Sequence, residues 1–494
     1  MEYSKKLNLI ELIKTLIEAI EYIKNNLDKD YRFMIEISID AIRTIVNEFN
    51  SFKTVDDKLI DLIKQVLSDI TEINDNFGGR NLKVCENLVD NLNDMIKIIK
   101  SNIEQKIDVV FMPYNASMWN SLESIWEAAR NDPRCNCYVV PIPYYKIINT
   151  DDGNEELIFT YEGEKFPEYV NIVDYKKFDL EKVKPDIIYI HNHYDDCNTA
   201  TRVDSNYYSY NLKKNTKMLV YVPYGTSGTY PAYFYLEFYA IIATRNFDKV
   251  VVQSPGFEFI AMESGIPKES LLVTGSPKFD ALFKALDYSN DKLKKELGLE
   301  NKTIFLWTTN LMKIIYTRHE AIDQIEELFN YIDENDEYML IYRPHPLELE
   351  YIKSKAPECY ERYAKLVDSI EKRKNIVLDK NPSYYESFNL SDALITDRSS
   401  VLIEYMNTKK PILIYDVGLE RKLYEENIFD IYSNYIVGED EMDVQTFISL
   451  VKENRDEKLE LRLKALENAV VNIDGTCGEK THCNIIEDFI ENYI

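Results

Sequence analysis

Asn389-Leu-Ser-Asp-Ala-Leu-Ile-Thr-Asp397-Arg398-Ser399-Ser400-Val401-Leu-Ile-Glu404-Tyr405 decides the fold of this chain. The apolar run Ala393 to Ile395 leads through Thr-Asp-Arg-Ser-Ser into Val401, Leu402, Tyr405 and Met406, which recur at helical spacing. This is a strand, a polar turn and a helix start. A helix beginning there offers backbone N–H groups and the positive end of its dipole to an anion, beside the Ser399 and Ser400 hydroxyls. The stretch predicts a phosphate seat. Upstream, Tyr338 to Tyr342 reads as a second strand ending in Arg343-Pro344-His345-Pro346. Parallel strands of an open α/β sheet carry ligands at their carboxyl ends, so Arg343, His345, Asp397 and Ser399 should converge on one crevice.

Further apolar runs on both sides extend the pattern. Thr303–Trp307, Asn375–Leu378 and Pro411–Tyr415 complete one set of strands, with helices rich in Glu and Lys between them and a helical tail from about Glu441. A second set comprises Asp108–Met112, Cys137–Pro143, Asp186–Ile190, Met218–Val222, Asp248–Gln253 and Leu271–Gly275. Residues 150–170 are polar and read as an excursion; Asp287–Asn301, rich in lysine, reads as a linker. The α/β region therefore divides into two Rossmann-like domains facing a cleft, residues 106–288 on the acceptor side and 289–494 on the nucleotide-donor side.

Residues 1–105 have a different texture. Leu9, Ile13, Leu16, Ile20, Ile23 and Leu27 alternate at steps of four and three, and so do three later sets through Phe49, Ile73 and Ile99. These predict an all-α bundle. It reads either as a docking or oligomerisation module or as a self-contained cap, and the sequence leaves both open.

Composition sets bounds. The 494 residues exceed one ordinary core. A net charge of −27 argues against a general nucleic-acid binder, because phosphate backbones attract basic faces. Seven scattered cysteines suit a reducing compartment better than a disulfide framework. Cys135-Asn-Cys137 lacks the spacing of a zinc or redox pair. The first residues lack a signal-peptide pattern, and no apolar run approaches the ~20 residues of a membrane span. The expected location is cytoplasmic.

Other strand ends carry polar turns. His191-Asn-His193-Tyr-Asp195-Asp196 admits a metal reading, but a polar turn facing the cleft explains it equally, and no metal ligand is assigned. Tyr224-Gly225-Thr226-Ser227-Gly228 and Ser276-Pro277-Lys278 follow two further strands. Arg343 offers a planar fork to phosphate oxygens, and His345 can donate to a leaving phosphate while Asp397 orients it or caps the turn. Together they fit a nucleotide-diphosphate donor site. The competing structural reading is that Asp397 and the serines cap a helix and Arg343 pairs with a carboxylate.

Arg343-Pro-His345-Pro, Thr396-Asp397-Arg398-Ser399-Ser400, Val252-Gln-Ser254-Pro and Gly275-Ser276-Pro-Lys278-Phe-Asp280 resemble the CDP-glycerol glycerophosphotransferase family of teichoic-acid and capsule enzymes. The likeness spans roughly residues 180–420 in the family's order of motifs. It implies a type-B glycosyltransferase fold and a CDP-polyol donor. It also implies transfer of a polyol phosphate to a hydroxyl of a polymer or lipid-linked acceptor, with release of CMP, by a protein peripheral to the inner face of the membrane. Carried onto this chain, Arg343, His345, Asp397, Ser399 and Ser400 bind the diphosphate, with Arg398, Gly225, Thr226, Ser276 and Lys278 as further donor contacts. The family's His-Gly-Thr turn, whose histidine is proposed as base, is Tyr224-Gly225-Thr226 here. A phenol with a pKa of about 10 is a poor base. The resemblance then implies that Tyr224 positions the donor while His191, His193 or Asp195 takes the acceptor's proton, or that the reaction differs. Two alternatives stand beside this reading: a sugar-nucleotide glycosyltransferase on the same fold, and a catalytically weakened nucleotide-binding scaffold. No cofactor beyond the CDP-linked donor is assigned, and a divalent-metal requirement is left open.

Overall fold

The computed structural model describes residues 3–26, 30–50, 57–75, 82–102, 106–149, 155–198, 200–286, 290–381, 383–415, 430–439 and 441–493. The chain divides into two compact units, Met1–Val109 with Arg130–Asn136 and Ile490–Ile494, and Val110–Ala129 with Cys137–Phe489.

The first unit is built on four helices, α1 (Tyr3–Asn25), α2 (Arg32–Asn50), α3 (Asp57–Asp75) and α4 (Leu82–Asn102). The spaced apolar residues form its core: Ile13, Leu16, Ile20 and Ile23 of α1 meet Ile35 and Ile42 of α2, Val66 and Ile70 of α3, and Leu88 and Leu92 of α4. Each helix packs on the next, and α4 also packs on α1, so the apolar stripes close into a bundle. Asp69 is buried among them but satisfied, accepting from Gln65 Nε2 at 2.8 Å and Asn91 Nδ2 at 3.1 Å. The side chain of Phe49 lies outside the described residues.

The α/β region carries the strands β1 (Ile107–Phe111), β2 (Cys135–Val139), β3 (Tyr144–Asn149), β4 (Glu155–Thr160), β5 (Ile187–Ile190), β6 (Thr201–Val203), β7 (Met218–Tyr221), β8 (Lys249–Val252) and β9 (Leu271–Val273). Beyond them lie β10 (Thr303–Thr309), β11 (Tyr338–Pro344), β12 (Ile376–Leu378), β13 (Ala393–Thr396), β14 (Ile412–Ile414) and β15 (Tyr435–Ile436). One sheet has the order β2-β1-β5-β7-β8-β9, and its last four strands are parallel. The other, β12-β11-β10-β13-β14-β15, is parallel throughout. Its order reverses between β10 and β13, the switch point at which doubly wound sheets open a crevice. Strands β5, β7, β13 and β14 are buried at every residue, which is why they read as unbroken apolar runs rather than alternating ones.

The polar excursion leaves the main sheet and holds a strand of its own in a separate three-stranded sheet; residues 150–154 lie outside the described residues. Residues 155–160 form β4, paired antiparallel with β3, which pairs antiparallel with β6. Leu157, Ile158 and Phe159 are consecutive and exposed, so β4 lacks the period-two alternation that marks a half-buried strand. The segment read as a linker also holds structure. A helix spans Asn290–Glu296, and its buried Lys294 donates to Asp392 at 2.5 Å.

The two α/β halves exchange elements. The helix Lys278–Leu286 follows β9 but contributes Phe279 and Leu282 to the core of the second sheet. The last helix, Cys477–Tyr493, returns to the first half: its Cys477 and Gly478 N–H groups donate to Asp280, and Thr481 bonds Thr274 at 2.7 Å. Gly275 is at φ +102, where a Cβ would also collide with the Val471 carbonyl of this returning segment.

Candidate functional site

Register places the two decisive turns. Thr308 of β10 pairs with Arg343 of β11 on one side and with Thr396 of β13 on the other. Neighbouring strands lie ~4.8 Å apart, so the two turns leave the same sheet edge about 10 Å from each other.

The β11 turn opens on a cavity of about 630 Å³. Arg343 and His345 stand at its polar mouth, and Tyr363, Val367, Ile376 and Leu378 supply apolar wall. Arg343 is oriented rather than loose: Nη1 donates to Asp379 Oδ2 at 2.8 Å, Nη2 to the Asn381 carbonyl at 2.8 Å, and the guanidinium lies 5.5 Å over the Tyr384 ring. The Leu347 N–H donates to His345 Nδ1 at 3.2 Å, which places the proton of the neutral ring on Nε2. His345 is exposed at the rim, yet desolvation by the protein around the ring lowers its pKa from 6.5. Nε2–H is therefore a neutral donor near pH 7.

The β13 turn corrects one expectation. Asp397 does not orient His345. It is fully buried, accepting from Lys313 Nζ at 2.8 Å and from the Asn310 N–H at 2.9 Å. Burial pushes its pKa up, and the Lys313 charge opposes that rise. Asp397 fixes the turn from inside the sheet edge; it is not available to a ligand. Ser399 is the N-cap of the helix Ser400–Met406, but its hydroxyl makes no capping bond. That oxygen is buried without a hydrogen-bond partner among the described residues. Arg398 reaches the other half, lying 4.7 Å over the Tyr230 ring, with Nη1 also buried and unpartnered among the described residues.

Lys278, Thr226 and the turn around Gly225 meet a residue that the motif reading passed over. Glu404 Oε1 accepts from Lys278 Nζ at 2.6 Å and from Thr226 Oγ1 at 3.1 Å, and Oε2 accepts from Tyr384 OH at 2.5 Å. Lys278 also donates to Tyr384 at 3.0 Å. Burial would lower the Lys278 pKa, but Glu404 overcomes it and holds it above the ordinary value. Lys278 and Thr226, expected as donor contacts, are thus committed to a polar knot between the two halves. Tyr384 joins that knot to Arg343, so Arg343 and the helix that starts at Ser400 share one crevice.

The histidines of the first sheet are enclosed. His191 accepts from the Tyr114 N–H at Nε2, 3.2 Å, and its Nδ1 meets Ser121 Oγ at 3.1 Å. His193, expected as a catalytic base, is enclosed by Tyr194, Tyr221 and Phe238 with ring centroids 4.1–4.7 Å away. Burial lowers both pKa values to about 3, so both rings stay neutral and neither reaches the cleft surface. Asp195 is tied to Ser209 through N–H and hydroxyl bonds of 2.8 and 2.7 Å. Tyr224 is half-buried, and burial raises its phenol above 10 against a bond from Tyr194 and the Lys278 charge. The phenolate that a base role needs is therefore even scarcer near neutral pH than the sequence suggests. Among the described residues Ser276 keeps a buried, unpartnered hydroxyl, as does Ser254 at the adjacent strand end.

The motif reading missed Lys313, Glu348, Asp379, Tyr384 and Glu404. One signal was available for Glu404: a single acid inside Val-Leu-Ile-Glu-Tyr-Met must be paired if that helix packs on all sides. Lys313 carried no such mark.

The family profile described as CDP-Glycerol:Poly(glycerophosphate) glycerophosphotransferase matches residues 229–485. The chain is 24% identical over 221 residues to a teichoic acid poly(ribitol-phosphate) polymerase of Bacillus spizizenii, covering 43% of this chain and 33% of that protein. It is 25% identical over 254 residues to the teichoic acid ribitol-phosphate polymerase TarL of Staphylococcus aureus, covering 49% of this chain and 42% of that protein. The chain thus spans less than half the length of these curated relatives. Among solved structures, the wall teichoic acid polymerase TagF (H548A) superposes with a TM-score of 0.51 at 15% identity, covering 88% of this chain and all of that one. That likeness concerns the fold. With the profile matched over just over half of its length, this chain belongs to the CDP-glycerol:poly(glycerophosphate) glycerophosphotransferase family.

Proposed function

We propose that the chain transfers a polyol phosphate from a CDP-linked donor to a hydroxyl of a surface-polymer precursor and releases CMP. The observation that carries this reading is the pairing of Arg343 and His345 at the mouth of a nucleoside-sized cavity, two strand spacings from the turn whose Ser399 hydroxyl has no partner among the described residues. The nucleoside occupies the cavity, and the diphosphate crosses the sheet edge from Arg343 towards Ser399 and Ser400.

In the reaction the acceptor oxygen bonds to the phosphorus that bears the polyol, and the bond from that phosphorus to the bridging oxygen of CMP breaks. Negative charge grows on the departing CMP phosphate. The oriented Arg343 and the Nε2–H of His345 face that charge, which is the electrostatic contribution that usually dominates such transfers. The acceptor's proton leaves to a base that is neither His191 nor His193, because both are enclosed. The acceptor is polymeric or lipid-linked in this reading, consistent with the names of the relatives.

The test is incubation of the full chain with CDP-glycerol or CDP-ribitol and a polyol-phosphate primer. Release of CMP, lowered ~10²-fold or more by His345→Ala, is the expected result. Release of CDP instead of CMP would refute phosphoryl transfer, and failure to bind any CDP-linked nucleotide would refute the donor site.

A further inference from the structure

Glu348 lies on the floor of the same cavity, three residues beyond His345, and is almost completely buried. Its two oxygens are not equivalent. Oε2 accepts from Thr309 Oγ1 at 2.9 Å and from Tyr363 OH at 3.0 Å. Oε1 is buried with no hydrogen-bond partner among the described residues. A buried carboxyl in the wall of a cavity, with one oxygen doubly served and the other unserved, is an unfinished hydrogen-bond arrangement.

We propose that Glu348 is a further nucleotide-binding residue that works as a neutral acid: Oε1 carries the proton and donates it, as a hydrogen bond, to an acceptor atom of the donor's pyrimidine. Thr309 and Tyr363 occupy Oε2 as donors, so the carboxyl proton resides on Oε1, where no described group accepts from it. The apolar wall around Tyr363 and Val367 suits a pyrimidine ring, while the diphosphate stays at the Arg343 mouth. An ionised carboxylate in this place would present lone pairs to the carbonyl oxygen and ring nitrogen of cytosine and repel them. Glu348 thereby couples donor affinity to its own protonation.

Its surroundings keep it protonated. Burial pushes its pKa up to about 8; Asp397 adds to this, while the hydrogen bonds from Thr309 and Tyr363 and the Lys313 charge oppose it. The other titratable groups facing it are Tyr342, Tyr363, Arg343 and His345. Burial moves both phenols further above 10, and desolvation holds His345 below 6.5. Neither the two phenols nor His345 changes charge between pH 7 and 9; Lys410, whose pKa burial lowers to about 8, does, so a pH effect in that window is assigned to Glu348 by its loss in the Glu348→Gln variant.

This inference rests on the donor reading above, and one experiment separates the two. CDP-glycerol, whose diphosphate diester has no titrating group in the window, is titrated calorimetrically into the full chain at pH 7, 8 and 9. Affinity is expected to fall about tenfold from pH 7 to 9 as the competent protonated fraction falls. Glu348→Gln places an amide donor where Oε1 stood, so it is expected to bind within about threefold of the parent at pH 7 and to lose the pH dependence. Binding with a flat profile in the parent, or an unchanged fall in E348Q, overturns the role of Glu348 alone. No binding of CDP-glycerol at any pH overturns the donor reading as well.

Discussion

Lys313→Met tests how the β13 turn is held. The Lys313 and Asp397 side chains are 2% and 0% exposed, and their 2.8 Å contact is the charge partner of a carboxylate that otherwise has the Asn310 N–H. Methionine keeps the aliphatic stem and removes the ammonium, leaving a buried anion. Such a charge escapes by taking a proton, and the price of neutralising a carboxyl with an ordinary pKa of 3.8 at pH 7 caps the penalty at ~4.4 kcal/mol. The Tyr415 carbonyl, which Lys313 serves at 2.7 Å, also loses its donor, for about 1 kcal/mol more. A loss of 3–5 kcal/mol at pH 7 is therefore expected. In the variant the folded-state pKa of Asp397 lies above its unfolded value. The contribution of that group is then present at low pH and lost as pH rises, so the deficit against the parent should shrink by up to ~2.7 kcal/mol between pH 7 and 5. Lys313→Met with Asp397→Asn should recover most of it. The assay is urea unfolding followed through Trp307, which is buried in β10 with its ring stacked at 6.0 Å on Tyr415. A deficit under 1 kcal/mol, or one independent of pH, would refute the assignment of Asp397 as an anion held by Lys313.

Three further outcomes follow from the same geometry. Glu404→Gln removes the charge that holds buried Lys278 and should destabilise the protein by about 3 kcal/mol, while weakening CDP-glycerol binding through the tilt of Tyr384 beneath Arg343; urea unfolding and calorimetry read the two effects. Tyr224→Phe should leave turnover within about threefold, because a phenol raised above 10 is a poor proton acceptor; a loss beyond tenfold would place it in the chemistry. Glu348 also gives stability a pH signature: its folded pKa of about 8 exceeds its ordinary 4.5, so its contribution is complete below 4.5 and is lost up to 8, a fall on the order of 4 kcal/mol that Glu348→Gln should remove. Thermal unfolding of parent and variant from pH 5 to 9 measures it.

The sequence by itself determined the secondary elements and where their ends gather. Buried parallel strands must be apolar throughout and helices must repeat at 3.6, so both sheets and the N-terminal bundle were legible; β4 was not, because its exposed Leu157, Ile158 and Phe159 follow neither rule. The two turns were legible for the same local reason: Arg343-Pro-His345 and Thr396-Asp397-Arg-Ser399-Ser400 stand directly after apolar runs. What each side chain does was decided only in three dimensions. Lys313 and Asp397 are 84 positions apart, Lys278 and Glu404 are 126, and Thr226 and Glu404 are 178. Charge state and availability depend on burial and on the nearest opposite charge, and both are set by which strands lie side by side. Hence His193, a plausible base in the sequence, became a neutral ring in an aromatic box, and Glu348, an unremarked acid, became the unsatisfied group at the cavity floor.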